Sequence, residues 1–106
     1  MKISILGTEY DFEPSESRQD QRLATQDGYA DYYTKTIRYE NNYNENHPNA
    51  IKDHNALKNT VKRHEIIHAF LYESGAGEWA NNEFITEWIA VQFPKLLKVF
   101  NEVNAI

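Results

Sequence analysis

His64 and His68, four residues apart with Glu65 between them, are the side chains of this chain best suited to chemistry. On a helix, residues four apart lie on one face as neighbours, so the two imidazoles can share one divalent cation. Glu65 is offset from His64 by about a quarter turn. It can act on a water held by that cation without binding the cation itself. The spacing His-Glu-x-x-His makes this division of labour: zinc on the histidines, the glutamate as base. A catalytic zinc site takes three protein ligands and leaves a fourth position for water. The chain has no cysteine, so the third ligand must be a histidine or a carboxylate. The segment Asn82-Glu83-Phe84-Ile85-Thr86-Glu87 supplies two carboxylates at i, i+4. One can bind the ion and the other can orient a ligand histidine through its distal ring nitrogen; spacing leaves open which does which. Tyr72, four residues beyond His68, is the candidate stabiliser of a developing oxyanion, weighed against a role as a boundary aromatic.

These residues need two helices and something to face them. Residues 49–73 carry apolar side chains at Ile51, Leu57, Val61, Ile67, Phe70 and Leu71, a helical spacing. That stretch is one helix, or a short one followed by a second from Asn55 or Asn59. Ile66, Ile67, Phe70 and Leu71 are expected to root it in the core. Gly75 and Gly77 are stop signals. A second helical stripe, Phe84, Ile85, Trp88, Ile89 and Val91, runs to Pro94. That proline disfavours helix at Phe93 and can start another, carrying Leu96, Leu97, Phe100 and Val103. Trp79 and Trp88 read as core. Upstream, Ile3, Ile5, Tyr10 and Phe12 alternate with polar residues around Gly7-Thr8, which predicts a strand or hairpin ended by Pro14. Residues 15–27 read as a loop or one short helix. Residues 29–33 and 36–40 read as antiparallel strands, with 36–40 offering an edge to an extended peptide. Residues 41–49 read as a loop whose Pro48 suits a helix start, and His47 and His54 as surface histidines. Strands followed by helices predict an α+β fold.

A length of 106 residues fits one domain. Without cysteines, disulfides and thiolate metal sites are excluded. A net charge of -5 argues against direct nucleic-acid binding, which relies on Lys and Arg neutralising phosphates. Lys58, Lys62 and Arg63 read as the solvated face of a helix. No apolar run approaches the ~20 residues of a membrane span, and the N-terminal residues lack the apolar core of a signal peptide. A cytoplasmic location is the expectation.

An HExxH helix followed by a helix with Asn-Glu-x-x-x-acid resembles the gluzincin metallopeptidases. In thermolysin-like members the Glu after the Asn is the third zinc ligand, and the acid four residues on supports it. The resemblance implies Glu83 as ligand and Glu87 as support. The stretch 69–82 is shorter than in those enzymes and the second acid is Glu rather than Asp, so Glu87 stays the alternative third ligand. A broader similarity joins the chain to small phage and prophage proteins related to the ImmA/IrrE-type metallopeptidases. It rests on Gly28-Tyr-Ala-Asp to Thr34-Lys-Thr-Ile37, on His64-Glu-Ile-Ile-His-Ala-Phe-Leu71 and on Glu87-Trp-Ile-Ala-Val-Gln-Phe-Pro94. That resemblance implies a minimal zincin-like fold, with a small N-terminal antiparallel β-sheet, the HExxH helix and a second, Glu-bearing helix. It also implies Zn2+ and a peptide or protein substrate, which in some members is a repressor. Glu65 would then take the proton of the attacking water and deliver it to the leaving amine. The alternative is a catalytically inactive zincin-fold binding or regulatory module whose zinc is structural.

Overall fold

The computed structural model describes residues 1–42 and 53–106, and the fold is mixed α+β. The loop predicted for residues 43–49, the helix start at Pro48 and His47 lie outside the described residues. Strands β1 (Lys2–Ile5) and β2 (Thr8–Ser15) form the N-terminal hairpin, with Ile3 opposite Tyr10 and Ile5 opposite Thr8. Its turn is Leu6-Gly7, both at positive φ (50° and 87°), as a two-residue type I′ connection requires. Pro14 does not end β2. The Phe12 amide donates to the Met1 carbonyl on the β1 side, so the Pro14 nitrogen, two residues on, faces that same side. The β1 pairing runs from Lys2 opposite Asp11 to Ile5 opposite Thr8, so Pro14 lies outside it and its missing N–H removes no hydrogen bond from that ladder.

Strands β3 (Gly28–Asp31) and β4 (Thr36–Glu40) form the expected antiparallel pair. The four-stranded sheet has the order β1-β2-β4-β3, and β2 and β4 run parallel. The all-antiparallel expectation is therefore corrected to a mixed sheet. The segment between β2 and β3 is long enough to pass over one strand position. Its 3-10 turn, Gln21–Ala24, is capped by Asp20 and anchored by buried Leu23, and β4 fills the vacated position. As an inner strand β4 has no free edge; the outer strands are β1 and β3.

Helix α1 (His54–Glu73) is a single helix, capped by the Asp53 carboxylate on the Ala56 amide. It ends in a Schellman motif. The Gly75 amide bonds the Tyr72 carbonyl and the Ala76 amide bonds the Leu71 carbonyl, with Gly75 at φ 89°. Gly77 is not part of the stop but opens the short helix α2 (Gly77–Ala80). Helix α3 (Glu83–Glu102), capped by Asn82 on the Ile85 amide, runs unbroken through Pro94. A mid-helix proline frees the carbonyl four residues earlier, here that of Ala90. Arg63 of α1 donates its Nε to that oxygen at 2.7 Å. Arg63 thus joins α1 to α3 rather than standing on a solvated face.

Ile5, Tyr10, Ile37 and Ala69 form the core, with Ile3, Phe12, Ala30 and Ile66 against it. The buried residues of α1 are Val61, Glu65, His68 and Ala69. The helix therefore presses its chemical face inward, and Phe70 is exposed rather than a core anchor. Trp79 and Trp88, expected in the core, are 48% and 56% exposed. Glu73 closes the far end of α1 on the sheet, accepting from Tyr10 OH at 2.6 Å, Lys35 Nζ at 2.7 Å and Thr8 Oγ1 at 3.1 Å.

Replacing Arg63 by Met keeps most of the apolar stem but leaves the Ala90 carbonyl without its donor. Urea unfolding is expected to show a loss of about 1–3 kcal/mol. Asn59→Ala, a control at an exposed position of the same helix, stays within ~0.5 kcal/mol of the parent.

Candidate metal centre

Helix α1 delivers His64, Glu65 and His68 to a cleft whose other walls are β3 and the start of α3. The His68 Nδ1 donates to the Ala80 carbonyl, and Thr86 Oγ1 lies 3.4 Å from the same nitrogen. A carbonyl only accepts, so this contact fixes the tautomer and leaves Nε2 with its lone pair free. That Nε2 lies 3.0 Å from His64 Nε2 and 3.0 Å from Glu83 Oε1, and Glu83 Oε2 lies 2.9 Å from His64 Nε2. The His64 Nδ1 faces Glu87 Oε1 at 3.4 Å. If that nitrogen carries its proton toward Glu87, His64 Nε2 is also a bare acceptor.

Three acceptors aimed at one point repel one another unless a proton or a cation lies between them. One ligand atom from each of His64, His68 and Glu83 falls within 4.8 Å of the others, so the group could bind a metal ion. Ligands each ~2.0–2.2 Å from one ion in a tetrahedron stand roughly 3.3–3.5 Å apart. The two imidazole nitrogens, 3.0 Å apart, need to spread by only a few tenths of an ångström, while Glu83 sets one oxygen against each of them. His68 is buried and His64 half-buried, whereas Glu83 stands at the mouth with 73% of its side chain exposed. Three protein ligands with one open side leave a position for water or substrate. In this arrangement Glu83 bridges the two distal nitrogens and Glu87 approaches only the far side of His64.

Glu65 is 6% exposed and accepts no hydrogen bond from any described residue. Burial pushes its carboxyl up to about 7; His64 opposes the shift, while Glu83, Glu87 and Asp27 add to it. An unpartnered buried carboxylate is costly for stability alone. Glu65 lines a cleft of about 370 Å³ together with His64, His68, Glu83 and Glu87.

Gly28 determines how closely β3 approaches Glu65. A Cβ there would sit 2.9 Å from the Arg38 carbonyl oxygen and 3.0 Å from both Glu65 Cγ and Val61 Cγ1. Gly28, Ala30 and Tyr32 recur at the strand period, and all three line the cleft. Tyr32 is a site residue that the motif search overlooked. Its hydroxyl is 3.0 Å from the Ala80 carbonyl that also receives His68, and 3.1 Å from Asn81 Oδ1. Burial pushes the Tyr32 hydroxyl up to about 12, with Glu65 and Glu83 adding to it. Tyr72, the sequence-derived candidate, does not line the cleft; its ring stacks on Tyr32 at 4.3 Å. The period-two alternation from Gly28 was the signal that could have found Tyr32. Arg22, also on the cleft wall, lies 3.7 Å from the Tyr29 ring centre and pairs with Asp31 at 3.2 Å; nothing in the polar stretch 15–27 marked it.

No protein-family model, curated protein or solved structure matches this chain.

Titration with zinc is expected to raise the melting temperature, stabilising the fold by about 2.7 kcal/mol at free zinc 100-fold above Kd. His68→Ala abolishes the effect, whereas Glu87→Gln weakens zinc affinity about 10-fold without removing it. Gly28→Ala is expected to cost about 1–3 kcal/mol by overpacking. In the same melting series Gly77→Ala, whose added Cβ meets nothing within 4 Å, stays near the parent or slightly above it.

Proposed function

We propose that this chain is a zinc-dependent metallopeptidase-like hydrolase, with His64, His68 and Glu83 holding the metal and Glu65 as general base. The observation that carries this is the convergence of ligand atoms from His64, His68 and Glu83 beside a buried carboxylate that has no donor among the described residues. The acceptor set is nitrogen and oxygen only, which suits zinc. When bound, zinc supplies a Lewis acid for a carbonyl and a water acidic enough to ionise near neutral pH.

The chain's own residues would then act as follows. Glu65 takes a proton from the attacking water and returns it to the leaving amine, for which a carboxyl poised near neutrality is suited. Glu87 steadies His64, and the Ala80 carbonyl steadies His68, so that neither ring turns as charge develops. Tyr32, on the cleft wall, would donate to an oxyanion by turning its hydroxyl away from the Ala80 carbonyl and Asn81 Oδ1. The outer strand β3 borders the cleft, and an extended peptide would add to it by strand pairing, a role that inner strand β4 cannot fill. The resemblance of the sequence motifs to ImmA/IrrE-type phage and prophage proteins would imply protein substrates such as repressors.

Glu65→Gln separates hydrolysis from metal binding. The variant is expected to retain stoichiometric zinc while losing at least about 100-fold in cleavage of a quenched-fluorophore peptide library. Parent protein that binds zinc but cleaves nothing, with Glu65→Gln indistinguishable from it, would assign the zinc a structural role in a binding module.

A further inference from the structure

The face of α3 turned away from α1 is apolar and uncovered. Thr86 and Ala90 are buried toward α1, whereas Phe84, Trp88, Leu96, Val99 and the C-cap Val103 are all exposed, Phe84 by 75% and Val99 by 51%. Trp88, Gln92, Leu96, Val99 and Val103 follow one another at steps of four or three residues, a continuous seam along one side of a helix. A groove between Trp88, Phe93, Leu96 and Val99 runs along it. The five exposed apolar residues of the seam present on the order of 550 Å². That is near the top of the ~300–600 Å² range of the largest patch on a monomer and is about two-thirds of the ~800 Å² that each partner buries in a standard interface.

We propose that this seam pairs with the same seam of a second copy, antiparallel, about a two-fold axis between residues 95 and 96. Side-chain size selects that orientation. The bulky aromatic Phe84 and Trp88 lie at the start of the seam, and the smaller Val99 and Val103 lie toward its end. An antiparallel pair sets Trp88 against Val103 and Gln92 against Val99, large against small at both ends. A parallel pair would stack aromatic on aromatic at one end and leave voids at the other. Lys95 falls opposite Leu96, where its methylene stem covers apolar surface and its ammonium reaches water. Glu83 and Glu87 lie toward α1, so pairing leaves both clefts open, and the inference stands whether or not the site is catalytic.

Sedimentation velocity of the full chain at 1–100 μM tests it. The expected species is a dimer, with Val99→Glu monomeric, and with an unchanged zinc-induced thermal shift showing that the variant is folded. Because the chain lacks cysteine, single cysteines report the geometry. Under mild oxidation Leu96→Cys cross-links to itself, Trp88→Cys cross-links to Val103→Cys, and Trp88→Cys does not cross-link to itself. A parent that is monomeric at 100 μM overturns the proposal, whether or not the face then binds lipid vesicles. A dimer that Val99→Glu leaves intact, or that cross-links Trp88→Cys to itself, overturns it equally.

Discussion

Acceptor atoms crowded onto one point must be reconciled by positive charge, and the architecture around His64, His68 and Glu83 is arranged to keep them crowded. The decisive contact is the hydrogen bond from His68 Nδ1 to the Ala80 carbonyl. It comes from the short helix between the two long ones and decides which ring nitrogen is bare. From there Nε2 can only face Glu83 and His64, at 3.0 Å each. A cation relieves that arrangement, and so does a proton; the open mouth at Glu83 and the unpartnered Glu65 favour the cation reading.

The scaffold serves that point from three sides. The Schellman turn at Gly75 ends α1 within two turns of His68 and reverses the chain, bringing Ala80 and α3 back alongside. The Arg63 to Ala90 contact fixes α3 against α1 at the break in its own hydrogen bonding, one turn past Glu87. Gly28 lets the edge strand come within contact distance of Glu65. None of these three residues would touch a metal, yet each sets a distance in the centre. The inward orientation of α1 follows from the same economy. With Val61 and Ala69 bracketing Glu65 and His68, the helix uses one face for both core and chemistry.

Much of this was legible in the sequence, because the strongest signals are local. The two helices, the β1–β2 hairpin and the β3–β4 pair follow from spacing and turn residues, as does the shared face of His64 and His68; spacing leaves Glu83 and Glu87 equivalent, and only the gluzincin resemblance distinguishes them. What was not legible depends on contacts distant in sequence. Pro14 and Pro94 were read as breaks by their intrinsic preferences. Each is tolerated because of a partner elsewhere: for Pro14 the early end of β1, for Pro94 the guanidinium of Arg63. The parallel pairing of β2 with β4 depends on what the segment between β2 and β3 skips over, which no periodicity records. Apolar spacing marks a face without saying what meets it, so Trp88 reads as core in the sequence and is exposed in the fold. Tyr72 was chosen by helical spacing alone; Tyr32 reaches the cleft from another element, visible only once β3 and α1 are adjacent.

The measurement that bears most directly on this account is an anomalous difference map from zinc-soaked crystals, collected on either side of the zinc absorption edge. The account predicts one strong peak within ~2.0–2.2 Å of His64 Nε2, His68 Nε2 and a Glu83 oxygen, with Glu65 and Glu87 outside bonding distance. No peak between the two histidines, or a peak bound by Glu87 in place of Glu83, would contradict it.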